Sequence, residues 1–436
     1  MATELSAMPL YPSAPTTLEQ AGLNADLMQQ LVLKTLYFGG ELTGTELSKR
    51  LGLGFSVFEP TLEFLKQQRL CEIAGGSVYG GASYRYRISD AGRSRTTLAL
   101  EQNQYLGVAP VPLAQYQRYM LEFKKAVPFT ASREQVRQAL SHLVVTDAIV
   151  DAVGPAVNSG HSMFVYGSPG NGKTMIAQAI RKLLVSDIAI PHAIEVQGNI
   201  VKVFDRVNHE ELPFEEESGG LMLHMEHDRR WVRCRRPLVM VGGELTMQDL
   251  DLRFNAVSGF YRAPVQMIAN GGVLVIDDFG RQHCSPRDLL NRWIVPLDRR
   301  IDHLTLNYGL KFQIPFEVMV VFSTNLDPGE LADAAFLRRI PNKISVGAVE
   351  PHTFDEIFQR LMAEKRLDYD ADAAAHLREL CLARGERELR ACFPRDICDV
   401  IASICEYEQR SLKISKAELD MAVDMYFPNF TPAAGI

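Results

Sequence analysis

Gly167-Ser168-Pro169-Gly170-Asn171-Gly172-Lys173-Thr174 fits the pattern G-x-x-x-x-G-K-[ST], and its reading decides the fold. The apolar run Met163-Phe164-Val165-Tyr166 ahead of it reads as a short buried strand, and Met175 to Ile180 behind it has helical spacing. Strand, glycine-rich loop and helix in that order make a cradle for nucleotide phosphates. Glycines let successive backbone N–H groups turn toward one anion, and the helix N-terminus adds partial positive charge. Lys173 is expected to reach the β/γ-phosphates of ATP, and the Thr174 hydroxyl to bind Mg²⁺. All eight residues form the expected cofactor-binding set.

Downstream, Val273-Leu274-Val275-Ile276 precedes Asp277-Asp278-Phe279-Gly280. Four consecutive apolar residues, mostly β-branched, suit a central parallel strand buried on both faces. Carboxylates at the C-terminal end of such a strand lie where open α/β sheets bind ligands. Asp277 is expected to hold Mg²⁺ with Thr174, and Asp278 to polarise an attacking water. A further strand, Val318 to Thr324, ends at Asn325, whose amide can orient that water. Arg338 and Arg339 follow at the end of a short helix. They could be solvated, cap the helix carbonyls, or complete a neighbouring subunit's site. Phe393-Pro394-Arg395-Asp396 opens a late helix. An arginine in a first turn opposes the helix dipole, which a phosphate partner would explain.

In this order, the phosphate loop, Asp-Asp strand, polar strand end, Arg-Arg pair and late Pro-Arg resemble the AAA+ ATPase family over roughly residues 125 to 428. The resemblance implies an α/β P-loop NTPase domain with a parallel sheet and an α-helical C-terminal lid. It makes Lys173 and Thr174 Walker A residues and Asp277 and Asp278 the Walker B pair. Asn325 becomes sensor 1, Arg339 (with Arg338 beside it) the arginine finger, and Arg395 sensor 2. Most relatives carry Glu where this chain has Asp278. The shorter side chain implies a less firmly held water and slow turnover.

Two features narrow the resemblance. His303 to Pro315 alternates around Asn307-Tyr308-Gly309, as a hairpin should. It is similar to the pre-sensor-1 hairpin of MoxR-like, McrB-like and enhancer-binding ATPases, and most of all to the MoxR pattern. The chain between Lys173 and Asp277 is also longer than a minimal core of this kind needs, with the surplus placed at about 205–262. That stretch holds an acidic run from His209 to Glu217 and a basic run from Arg229 to Arg236, expected as solvated faces or an inter-subunit contact, with a substrate-engaging loop as the alternative. Phe260-Tyr261 could grip a polymer or pack beneath the Asp-Asp strand.

At 436 residues, 47% hydrophobic and 23% charged, the chain can bury two or three cores. A formal net charge of -7 argues against indiscriminate nucleic-acid binding. No run of about eighteen apolar residues is present, so no membrane insertion is expected. No basic-then-apolar leader is visible either, and seven cysteines without C-x-x-C spacing fit reduced thiols, so a cytoplasmic location is expected.

The expected division is a disordered tail over 1–20, a winged-helix domain over 21–103, a linker over 104–131, the AAA+ α/β domain over 132–350 and the helical lid over 351–436. Within 21–103, helical runs are followed by the alternating Tyr84 to Ser89, as in a winged helix. That domain could contact DNA through Arg85, Arg87, Arg93 and Arg95, or dock a protein. Together these readings point to an ATP-hydrolysing, ring-forming homo-oligomer, hexameric by the resemblance, that remodels a protein or nucleic-acid partner in the MoxR-like chaperone manner. The alternatives are a DNA-directed ATPase resembling helicase loaders or transposition ATPases, and a slow nucleotide switch.

Overall fold

The computed structural model describes residues 11–75, 80–213, 227–367, 370–384 and 388–427. The chain forms two compact units: 1–128 with 184–274 and 288–319, and 129–183 with 275–287 and 320–436.

The second unit is built on the strand order Val273–Ile276, Met319–Thr324, Met163–Tyr166, Asn342–Ser345. Met163–Tyr166 lies parallel to both neighbours, with Val321 opposite Met163 on one side and Asn342 opposite Met163 on the other. Val273–Ile276 and Met319–Thr324 are buried along their whole length, which is why they read as unbroken apolar runs rather than alternating ones. The helix Lys173–Ile180 starts directly after the phosphate loop. C-terminal to the sheet come the helices Pro351–Glu364, Ala371–Ala383, Phe393–Tyr407 and Lys416–Tyr426, each within a few residues of the helical runs in the sequence. Ser415 and Glu418 form the reciprocal cap that their spacing announces. Cys381, Cys398 and Cys405 are core residues here, packed with Phe354, Phe358 and Leu377.

In the first unit, the helices Ala25–Gly39, Gly44–Leu51 and Phe55–Gln67 pack on a three-stranded sheet with Arg85–Ile88 between Leu42–Thr43 and Cys71–Gly75. The helix Asp90–Gln102 closes this region. Its apolar core does not stop at residue 103: Tyr105, Ala109, Ala193 and Ile200 belong to the same cluster. Nor is 104–131 a free tether. Val111–Pro112 pairs in parallel with Ala193–Val196, and the helix Leu113–Ala126 buries Tyr116, Tyr119, Met120 and Phe123. The expected tail over 1–20 also needs correction from residue 11 onward. Ser13 bridges to His227, and the Thr17 hydroxyl caps the helix Leu18–Ala21; residues 1–10 lie outside the described residues.

Within the surplus chain, Arg253–Asn255 and Phe260–Arg262 join strands outside it in a five-stranded sheet, in the order Arg253–Asn255, Phe260–Arg262, Asn199–Lys202, Ala193–Val196, Val111–Pro112. The basic run that reads as a solvated face is largely internal. Arg230 is 1% exposed and ion-paired at 2.8 Å with Asp228, itself 3% exposed. Its guanidinium also donates to the carbonyls of Ala21 (2.8 Å) and Pro110 (3.3 Å) and to Gln115 Oε1 (3.1 Å). Arg236 is buried too, with Nη2 3.0 Å from the Val127 carbonyl and its guanidinium over the Phe123 ring. Arg233 pairs with Asp187 at 2.6 Å, and Arg235 with Glu210 at 3.2 Å. Of the acidic run, 214–217 lies outside the described residues. Tyr261 is buried, its hydroxyl 2.5 Å from Asn307 Oδ1, so it packs rather than projects. The hairpin Ile301–Thr305/Lys311–Pro315 turns at Asn307-Tyr308-Gly309, with Gly309 at φ +91° and Tyr308 exposed.

Candidate nucleotide site

The site is assembled within the second unit, at the C-terminal ends of its central strands. Close packing shapes the loop. A Cβ on Gly167, at φ +137°, would lie 2.2 Å from the Val346 carbonyl oxygen, and one on Gly170, at φ +80°, would lie 2.5 Å from Cys392 Sγ. Only glycine fits either position without strain. Lys173 is buried, and its ammonium donates to the carbonyls of Gly167 and Ser168, both at 2.9 Å. Burial lowers its pKa, and the carboxylates of Asp278 and Asp277 oppose that shift.

Thr174 and Asp277 are 103 residues apart in sequence, yet the Thr174 hydroxyl lies 3.0 and 2.9 Å from the two Asp277 carboxylate oxygens. A hydroxyl and a carboxylate converging at the head of the loop form the hard oxygen set that Mg²⁺ takes, its remaining positions filled by phosphate and water. The residues present therefore fit the metal.

Asp278 is exposed and adopts φ +48°, a left-handed conformation that favours glycine and that aspartate tolerates better than most residues. Its neighbours hold it there. Phe279 N donates to the Ser323 carbonyl at 2.7 Å, and the Thr324 hydroxyl donates to the Phe279 carbonyl at 2.7 Å. The buried Phe279 ring packs against Phe322 and Phe164. Beyond it, Gln282 Nε2 reaches the Asp277 carbonyl at 3.2 Å while Gln282 Oε1 accepts from Gly280 N at 2.8 Å. Asn325 Nδ2 lies 3.2 Å from Asp278 Oδ1, which joins the two strand ends that the sequence singles out. Phe279, Thr324 and Gln282 were not legible as site residues. Their only signal is position, one to four residues from the acidic pair or from Asn325.

The lid segment 388–392 lies directly on the loop. Cys392 N donates to the Gly170 carbonyl at 2.9 Å and Ala391 N to Asn171 Oδ1 at 3.0 Å. Ser168 Oγ is 3.1 Å from Glu388 Oε2, and Pro169 at the loop tip is exposed. Arg395 is not brought to the loop. It is exposed and pairs with Glu364 at 2.8 Å inside the lid. Arg338 is exposed at the C-cap of the helix Ala334–Leu337, and Arg339 is half-buried behind it.

The family model described as magnesium chelatase, subunit ChlI, matches residues 140–216, a stretch that includes the whole phosphate loop. A domain of unknown function, DUF8689, matches residues 350–425, the lid helices. The Holliday junction branch migration motor RuvB of Thermotoga maritima is 14% identical over 69% of this chain and 72% of its own, with a TM-score of 0.35. NtrX from Brucella abortus, solved with ADP, is 14% identical over 76% and 65%, with a TM-score of 0.39. The FIGL-1 AAA domain is 13% identical over 72% and 90%, with a TM-score of 0.38. No curated protein matches the sequence.

Proposed function

We propose that this chain, which carries the AAA+ P-loop NTPase fold, is an ATP-hydrolysing remodelling ATPase of the MoxR-like chaperone type, working as a hexameric ring of identical subunits. The observation that carries the proposal is the junction of Thr174 with Asp277 and of Asp278 with Asn325 beside a buried Lys173. Together they put a metal ligand set, a carboxylate and an amide at one loop.

In this reading the backbone N–H groups of the loop and the Lys173 ammonium bind the β/γ-phosphates, as a fixed electrostatic cradle that needs no rearrangement as charge builds. Thr174 and Asp277 would hold Mg²⁺, which would supply charge neutralisation at the phosphate oxygens. Asp278 aligns and polarises the attacking water. Asn325 donates to its Oδ1, which leaves Oδ2 to accept from the water. Arg339, with Arg338 beside it, serves the site of the adjacent subunit, and Arg395 joins when the lid exchanges Glu364 for phosphate.

A protein partner is favoured over DNA for the winged-helix region of 21–103. Arg87, in the wing strand, is paired with Glu72 at 2.7 Å and Glu41 at 3.5 Å, and Lys66 of the helix Phe55–Gln67 with Glu63 at 2.9 Å. These pairs lower the uncompensated charge that a phosphate backbone requires, while Arg85, Arg93 and Arg95 take part in no ion pair among the described residues.

Subunit mixing tests the proposal. Lys173→Ala should lose nucleotide binding, and Arg339→Ala should keep it but lose hydrolysis. Rings containing both chains should regain activity at interfaces that join an intact finger to an intact loop. Absence of rescue at every ratio, in rings shown to contain both chains, contradicts a finger acting in trans.

A further inference from the structure

A second cleft, of about 760 Å³, lies within the first unit, between the Lys202 end of the strand Asn199–Lys202, the hairpin Arg253–Arg262 and residues 104–108. Its floor is apolar, with Val203, Phe204 and Phe260, and its walls carry charge. Lys202 stands directly opposite Arg262 across a parallel pair, and Arg262 directly opposite Arg253 across an antiparallel one. Directly opposed residues share a face of the sheet, so three cationic side chains leave neighbouring strands side by side, from backbones roughly one strand spacing of 4.8 Å apart. Arg206 adds a fourth.

Like charges directly opposite one another destabilise a sheet. The acids of the cleft relieve this repulsion only at Arg253. Asp249 pairs with Arg253, and Asp251 with Arg292 at 3.2 Å. Asp205 accepts from Val207 N at 3.0 Å and from Asn208 Nδ2 at 3.1 Å. Among the described residues, the exposed side chains of Lys202, Arg206 and Arg262 have neither a hydrogen bond nor an ion pair. His192, also in the cleft, has its pKa lowered to about 4 by burial, then by Arg206 and Lys202. It is neutral at pH 7 and leaves the three cations to set the field.

We infer that this cleft is an anion site for the phosphate of a nucleotide, carried free or within a nucleic-acid strand. Two cations facing each other at strand spacing converge on one multiply charged group better than on a row of single carboxylates. Guanidinium forks match phosphate oxygens, and the apolar floor suits a base or sugar. The site is separate from the phosphate loop and does not rest on the ATPase reading.

The test uses the full chain carrying Lys173→Ala, so that binding at the phosphate loop does not contribute. Two probes are titrated, a fluorescent adenine nucleotide and a fluorescein-labelled oligothymidylate. Binding of either, weakened ~10-fold or more by Arg262→Glu and by Lys202→Glu and retained in Arg262→Lys, supports the site, since each reversal removes a charge-assisted phosphate contact. The probe that binds tells whether the nucleotide is free or in a strand. For the strand, three contacts predict a slope of log K against log salt near −2, at about 0.7 per contact, and Arg262→Ala should flatten it by about that amount. Retained tryptophan fluorescence and circular dichroism in the variants separate lost binding from lost folding. No binding of either probe, binding that charge reversal leaves unchanged, or displacement by polyglutamate in place of phosphate overturns the assignment.

Discussion

Arg230→Met tests the packing of the first unit most sharply. Arg230 and Asp228 are 1% and 3% exposed, and Arg230 Nε and Nη2 meet both Asp228 oxygens at 2.8 to 3.0 Å. Removing the guanidinium leaves a buried carboxylate with only the Arg230 backbone N–H, at 3.0 Å, among the donors the arginine provided. It also strips a donor from the Ala21 carbonyl. Breaking a buried pair from one side costs about 3–5 kcal/mol. With a urea m-value of about 3 kcal/mol/M for a unit of this size, the midpoint should fall by about 1 M or more. The assay is clean, because the chain's two tryptophans, Trp231 and Trp293, both lie in this unit. Selectively excited tryptophan fluorescence in urea therefore reports on this unit. Arg230→Met with Asp228→Leu should regain most of the loss, since the unpaired charge is gone. A midpoint shift for Arg230→Met below about 0.3 M would refute the claim that the pair holds the unit together.

Thr324→Val removes the hydroxyl that fixes the Phe279 carbonyl and should cost about 1 kcal/mol in stability. Because Asp278 loses its support, kcat should fall while nucleotide affinity stays; equal changes in both would argue against a positioning role. Stability should also depend on pH through His192, whose folded pKa of about 4 lies below its ordinary 6.5. Between those values the unfolded chain binds the extra proton, so stability present above pH 6.5 is lost as pH falls toward 4, and His209, lowered by burial, adds in the same direction. The slope of unfolding free energy against pH should shrink in His192→Gln; an unchanged slope would show that another group causes it.

The phosphate loop and the strands around it are legible because their requirements are local. Gly167 and Gly170 answer to their own φ angles and to one close neighbour each, and Val273–Ile276 is apolar throughout because both faces are covered. Lid helices and the hairpin at Asn307-Tyr308-Gly309 are legible for the same reason, since period, caps and turn residues lie within the segment itself. Arg230 is not. A charge run looks solvated in sequence, and only the meeting of Asp228, Ala21, Pro110 and Gln115 turns it into a core residue. The strand Val111–Pro112 is likewise too short to carry a period and exists only because Ala193–Val196 lies beside it. At the site, the Thr174–Asp277 contact follows from the motifs. The Phe279–Thr324 clamp and the Arg395–Glu364 pair arise from packing that no spacing encodes.

If Asp278 drives hydrolysis of ATP held at this loop, its removal should separate binding from turnover. Native chain and Asp278→Asn are each loaded with ATP and Mg²⁺, and bound nucleotide and released phosphate are followed through one turnover. Both should bind ATP with similar affinity, and the native chain should release phosphate while Asp278→Asn retains intact ATP. Phosphate release by Asp278→Asn at the native rate, with Lys173→Ala inactive beside it, would contradict the account.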